Sequence, residues 1–311
     1  MSLVERALQK VQAGEAARRQ ASKAHADLNV GKIVTGAALP IAAAAPEREP
    51  RYKSNRLVKV DRDAMRAAGL LPPREQEREI ADQYRAIKRP LLEAAFSGEQ
   101  TEGPPQKLIM VASALPGDGK TFTGVNLALS LALEKDRTVL LVDGDLAKPH
   151  ISRLFGVEHE PGLLDVLKDP TKDVESVILP TDIPGLSVLP AGSQSETATE
   201  LLASDRMAQI VEQLSRLSTR GIVLFDSLPL LITSEARVLI TLMGQIVLVV
   251  RANVTPQQAV KDAVELIGDR KTWLVLNQAE VHGAMGYYYG SQYGYRKGYG
   301  QPDQDAAQSS S

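Results

Sequence analysis

Six short runs that are apolar throughout place the tightest limit on how this chain can fold. "KLIMVAS", "TVLLVD", "LSVLPAG", "GIVLFD", "QIVLVV" and "WLVLN" follow one another from Lys107 to Asn277. Between most of them lie stretches of helical period, such as "ATELLASDRMAQIVEQLSRL" and "TPQQAVKDAVELIG". A strand with one wet face alternates apolar and polar residues, whereas a strand apolar at every position is covered on both faces. Strands of that kind separated by helices predict an α/β fold: a mostly parallel, doubly wound sheet over residues 105–281, with helices on both faces.

The flanks have a different texture. In residues 1–33, Leu3, Val4, Ala7, Leu8 and Val11 share one helical face. That segment reads as an amphipathic helix, either weakly ordered or a docking element for a partner. Residues 34–55 are Ala/Pro-rich and read as a linker. Residues 56–104 read as a helical lead-in, with a short helix ended by Gly69 and a longer one over about 74–96, kinked or interrupted at Pro90. Beyond 281 apolar periodicity stops, and 282–311 is expected to be a disordered tail rich in Gly, Tyr, Ser and Gln.

Composition removes several kinds of chemistry. The 311 residues include no cysteine, which excludes disulfides, thiolate metal sites and thiol nucleophiles. A net charge of -2 gives no bulk attraction to nucleic acid or to an anionic bilayer. The longest apolar run, Val238 to Val250, is interrupted by Gly244 and Gln245 and falls short of the ~20 residues a membrane span needs. The amino terminus "MSLVERALQKVQ" carries charges where a secretory signal would be apolar. The expected location is therefore cytoplasmic, with any membrane role supplied by a partner.

The stretch "SALPGDGKT", residues 113–121, lies between the first apolar run and the helical "TFTGVNLALSLALEK". Strand, glycine-rich loop and helix in that order make a phosphate-binding loop. Gly117 and Gly119 let backbone N–H groups turn toward phosphate oxygens at the positive end of a helix. Lys120 is placed for the terminal phosphates and Thr121 for Mg²⁺, while Ala114 stands where the usual pattern has its first glycine. Pro116, Gly117, Asp118, Gly119, Lys120, Thr121 and Phe122 are the expected nucleotide contacts. Two further runs end in carboxylates, Asp143 and Asp145 after "TVLLV", and Asp226 after "GIVLF". Ligands of open α/β sheets bind at the carboxyl ends of the strands, so Thr121, Asp143 and Asp226 are candidate Mg²⁺ ligands. Lys120, Asp143 and Asp145 are the candidate catalytic groups.

These segments resemble the Walker A, A′ and B motifs of the bacterial tyrosine autokinases that regulate capsule and exopolysaccharide synthesis. That family spells its loop S-x-x-P-G-[DE]-G-K-[ST], matched by Ser113 to Thr121; "LLVDGDLAKP" and "VLFDSLP" are similar to its A′ and B motifs. The N-terminal "MSLVERALQKVQ" and the segment from Ser234 to Val260 look like the exosortase-associated subgroup. The resemblance implies an ATP- and Mg²⁺-dependent P-loop kinase that phosphorylates tyrosines in its own tail. Six of the eight tyrosines fall there: Tyr287, Tyr288, Tyr289, Tyr293, Tyr295 and Tyr299. It further implies a homo-oligomeric ring, with Asp82, Arg85 and Lys88 at the positions of an E-x-x-R-x-x-R helix. A transmembrane polysaccharide co-polymerase as activator and a cognate tyrosine phosphatase complete the expected partners, with no nucleic acid among them; the kinase would sit peripheral to the inner membrane.

One departure stands out: position 147 is Ala, next to Lys148, where the A′ pattern continues with Arg. Lys and Arg are not equivalent at phosphate sites. An ATP-binding scaffold of the same export system, with little kinase activity, is the alternative that Ala147 favours. A partition or septum-placement ATPase shares the topology but carries a lysine where Leu115 stands.

Overall fold

The computed structural model describes residues 54, 56–97, 103–146, 148–195, 197–217 and 219–279. The N-terminal helix, the greater part of the linker, Ala147 and the tyrosine-rich tail lie outside them.

Seven strands form one sheet: β1 (Leu108–Ser113), β2 (Thr138–Asp143), β3 (Leu179–Pro180), β4 (Leu186–Leu189), β5 (Gly221–Asp226), β6 (Gln245–Arg251) and β7 (Lys271–Asn277). Their order is β3-β4-β2-β5-β1-β6-β7, and every neighbouring pair is parallel except β3 with β4. The two-residue β3 carries too little pattern to be read from sequence. Side-chain alternation explains why the central strands are apolar at each position. Leu108, Met110, Val223, Phe225, Ile246 and Leu248 enter one core, while Ile109, Val111, Ile222, Leu224, Val247 and Val249 enter the other.

Nine helices are described: α1 (Arg62–Ala67), α2 (Glu77–Phe96), α3 (Lys120–Ala132), α4 (His150–Leu154), α5 (Leu163–Lys168), α6 (Ala198–Leu202), α7 (Asp205–Arg216), α8 (Ser234–Thr241) and α9 (Gln257–Ile267). The first core is covered by α5 to α9, the second by α1 to α4. The lead-in helices therefore share a core with the sheet. Met65 and Leu91 are fully buried in it, and Asn126 on α3 donates to the Leu70 carbonyl at 2.8 Å.

The helix is not interrupted at Pro90. A short 3₁₀ turn (Arg74–Gln76) leads into α2, which runs unbroken to Phe96 with Pro90 inside it. Proline deprives the Ala86 carbonyl of its helical donor, and Ala86 is exposed, so water can take that carbonyl. Gln245, which interrupts the longest apolar run, is fully buried and satisfied. Its amide donates to the Leu91 and Gln106 carbonyls and accepts from the Trp273 indole at 2.8 Å, fastening α2 to the sheet.

Candidate functional site

The site is built at the carboxyl ends of β1, β2 and β5. Asp143 and Asp226 end adjacent strands and are register partners. The loop after β1 runs into α3, whose first residue is Lys120. Gly117 and Gly119 adopt left-handed φ values of 84° and 95°, which turn the loop's amides to one side. Gly119 is further constrained, because a Cβ there would lie 2.0 Å from Asn277 Nδ2.

Each aspartate uses one oxygen to fix itself and leaves the other free. Asp143 Oδ2 accepts the Ser152 amide and hydroxyl, both at 2.7 Å, while Asp226 Oδ2 accepts the Thr121 hydroxyl at 2.8 Å. Ser152 is held in turn, its hydroxyl accepting from the Ala191 amide at 2.9 Å. Asp143 Oδ1 and Asp226 Oδ1 are buried with no partner among the described residues. Two spare carboxylate oxygens beside a hydroxyl form a hard donor set of the kind Mg²⁺ takes, so the residues present fit that ion. Burial pushes the Asp143 carboxyl up to about 7 against the two Ser152 bonds, with the charges of Asp226 and Asp145 adding to the rise. Burial likewise pushes Asp226 up to about 6, against the pull of the Thr121 hydroxyl and Lys120. Asp145 is half-buried and also raised by burial; the Lys148 amide, at 2.9 Å, and the charges of Lys120, His150 and Lys148 oppose the shift.

A pH dependence follows with a definite sign. Both carboxyls titrate higher in the folded chain than their ordinary 3.8, so their contribution to stability falls as pH rises from about 4 to about 7. Mg²⁺ takes only the ionised forms, so its binding must displace those protons. Mg-nucleotide affinity, measured by calorimetry, is expected to be at least about tenfold weaker at pH 5.5 than at pH 8. Equal affinity at the two pH values would remove both aspartates from the cation site.

The Asp118 carboxylate turns inward. It is buried, accepting the Thr255 hydroxyl at 2.7 Å and the Leu115 amide at 3.2 Å. The Asp118 carbonyl accepts the Asn277 amide at 2.9 Å, and Asn277 Oδ1 takes the Gln278 N–H at 3.0 Å. The side chain of Asp118 therefore holds the loop, and only its backbone is left for a phosphate. Phe122 is partly buried against the core formed with α1 to α4, whereas Pro116 is exposed on the loop. Ser152, Thr255 and Asn277 were not singled out from sequence. Asn277 closes the sixth apolar run, and its place at a strand end was the available signal.

The three residues expected at a subunit interface separate. Asp82 and Arg85 pair with each other on the exposed side of α2. Lys88 instead turns into the body, donating to the Ser130 carbonyl and pairing with Glu134, both at 2.7 Å. It is almost fully buried, so it is not presented with the other two. Two open clefts, of about 630 and 600 Å³, border α7, and neither touches the phosphate loop. A cradle of backbone amides needs no deep cavity. No helix among the described residues is long and apolar enough to cross a membrane.

Comparison with known proteins agrees with this geometry. Residues 105–220 match the ParA family model, described as NUBPL iron-transfer P-loop NTPase. This sequence has no cysteine to hold an iron–sulfur centre, so the match speaks for the loop and sheet. Tyrosine-protein kinase YwqD of Bacillus subtilis is 29% identical over 213 residues, covering 67% of this chain and 86% of YwqD. Tyrosine-protein kinase etk of Escherichia coli is 33% identical over 158 residues, which are 50% of this chain and 20% of etk. The solved kinase domain of Escherichia coli tyrosine kinase ETK superimposes with a TM-score of 0.55 at 27% identity, covering 70% of this chain and 80% of that one. The chain thus spans most of YwqD but about a fifth of etk.

Proposed function

We propose that this chain, whose homologues are bacterial tyrosine-protein kinases, is an ATP-dependent protein-tyrosine autokinase. It phosphorylates its own C-terminal tyrosines and thereby regulates exopolysaccharide polymerisation and export. The observation that carries the chemistry is the pair of spare buried oxygens, Asp143 Oδ1 and Asp226 Oδ1, beside the phosphate loop. The six tyrosines between 287 and 299 supply acceptors on the same chain.

In the reaction a tyrosine oxygen bonds to the γ-phosphorus of ATP as the bond from that phosphorus to the bridging oxygen breaks, and ADP leaves. Lys120 neutralises charge on the transferred group. Thr121, Asp143 and Asp226 would hold Mg²⁺, which would supply charge neutralisation on the phosphates. Asp145, the least buried of the three aspartates, takes the phenolic proton, and Lys148 and His150 lower the cost of its charge. Asp82 and Arg85 offer the surface on which copies of the chain pack into a ring. Activation comes from a transmembrane polysaccharide co-polymerase, which also brings the kinase to the inner membrane from the cytoplasmic side, and a tyrosine phosphatase resets the tail.

Intact mass after incubation with Mg-ATP tests the reaction. The parent should gain a ladder of phosphates, and a variant with all six tail tyrosines changed to Phe should gain none. Retained nucleotide binding without any added mass, even with the membrane partner present, would leave the ATP-binding scaffold as the function.

A further inference from the structure

The outermost strand on one side of the sheet carries an apolar surface that the rest of the described chain does not cover. β7 pairs with β6 along one side and with no other strand among the described residues. Leu274 and Leu276 are 63% and 61% exposed, and Val264 on the neighbouring α9 is 41% exposed. In the register Leu274 lies beside Leu248, which belongs to the core on the α9 side, so the two leucines face that way. Trp273 and Val275 face the opposite core and are partly buried. An open strand edge bearing exposed leucines is a template for another strand.

The sequence that follows β7 has the matching pattern. From residue 287 it reads "YYYGSQYGY", and Tyr287, Tyr289, Tyr293 and Tyr295 all fall at odd positions. Extended chain alternates its side chains between two faces, so those four rings share one face. The other face holds Tyr288, Gly290, Gln292 and Gly294. The nine residues 278–286 are ample to reverse the chain, since an antiparallel return needs only about two. At about 3.3 Å per residue, these nine residues extended are longer than the seven-residue β7.

We propose that residues 287–295 of the same chain dock as an added antiparallel strand on the free edge of β7, with Tyr287 and Tyr289 against Leu276 and Leu274. The register with the shortest return sets Tyr287 opposite Leu276 and Tyr289 opposite Leu274, and places Gly290 opposite Trp273. Tyrosine–leucine pairs directly across two strands lie close enough to cover each other. Docking keeps the tyrosines away from a phosphate loop until the segment is released. That regulatory meaning rests on the kinase function proposed above, whereas the docking does not. A phosphate on the docked face adds about -1.5 to -2 of charge to an apolar contact, so the first transfer favours further release.

Hydrogen exchange of the full chain without nucleotide tests the docking. Exchange of the amides in 271–277 should be about tenfold slower in the parent than in Leu274→Asp/Leu276→Asp. A variant with Tyr287, Tyr289, Tyr293 and Tyr295 changed to Ser should lose the same protection, whereas Tyr288→Ser should keep it. The slow exchange should be identical at low and high protein concentration. Equal exchange in the parent and the four-serine variant would overturn the proposal, as would equal loss in Tyr288→Ser. Protection that grows with concentration would also overturn it, because the occupant would then be a second copy. Because no ATP is present, a chain that never transfers phosphate would still give the expected exchange.

Discussion

Changing Lys120 to methionine is expected to lower phosphoryl transfer by at least about a thousandfold, with the fold retained. Lys120 opens α3 directly behind the phosphate loop, and its charge already acts on Asp145 and Asp226. Methionine keeps most of the length of the stem and removes only the ammonium. The loss is then an electrostatic one, made at the moment when charge spreads over the transferred group. Initial rates from the phosphate ladder, read beside a melting curve, give the answer. A rate within about tenfold of the parent would take Lys120 out of the transfer step.

The second large effect runs in two directions at once. Asp143→Asn should reduce transfer by about a hundredfold or more, yet raise the melting temperature of the metal-free protein at pH 8. The asparagine oxygen can still accept from Ser152, so the local geometry survives. What disappears is a buried charge that folding had to bring in, next to the charge of Asp226. Stability gained while activity is lost marks a residue kept for chemistry. If Asp143→Asn lowered both, its carboxylate would be part of the scaffold and the cation site would need another ligand. Single-turnover transfer and thermal unfolding in the same buffer separate the two outcomes.

The parts of the fold that were legible in the sequence are those in which local pattern and burial coincide. The core strands are covered on both faces, so their apolar runs announced them. The phosphate loop was legible because loop, lysine and threonine are contiguous, and Asp143 and Asp226 because each closes a strand. Other features depend on what lies across the sheet. Lys88 has the spacing of a surface charge ladder, but its partners Ser130 and Glu134 sit on or just beyond another helix. The Thr255 hydroxyl meets Asp118 across 137 positions and the Asn277 amide across 159, so no window of sequence contains either pair. Pro90 does not interrupt its helix, because a proline's effect depends on whether water reaches the carbonyl it orphans. The apolar run of β7 predicted a covered strand, but among the described residues no strand lies beyond it and its outward leucines are exposed.

The hydrogen bond from the Asn277 amide to the Asp118 carbonyl joins the phosphate loop to the outermost strand of the sheet. The nucleotide loop springs from β1, flanked by strands on both sides, yet it is braced by the last residue of the peripheral strand. Peripheral strands are the first parts of a sheet to open, at free energies well below that of global unfolding. Every such opening withdraws the Asn277 amide from the Asp118 carbonyl and lets the loop relax. The shape of the phosphate loop therefore depends on the margin of the sheet as well as on the loop's own residues. Whatever lies against that margin, including a tag or fusion joined just beyond it, would reach the phosphate loop through this brace.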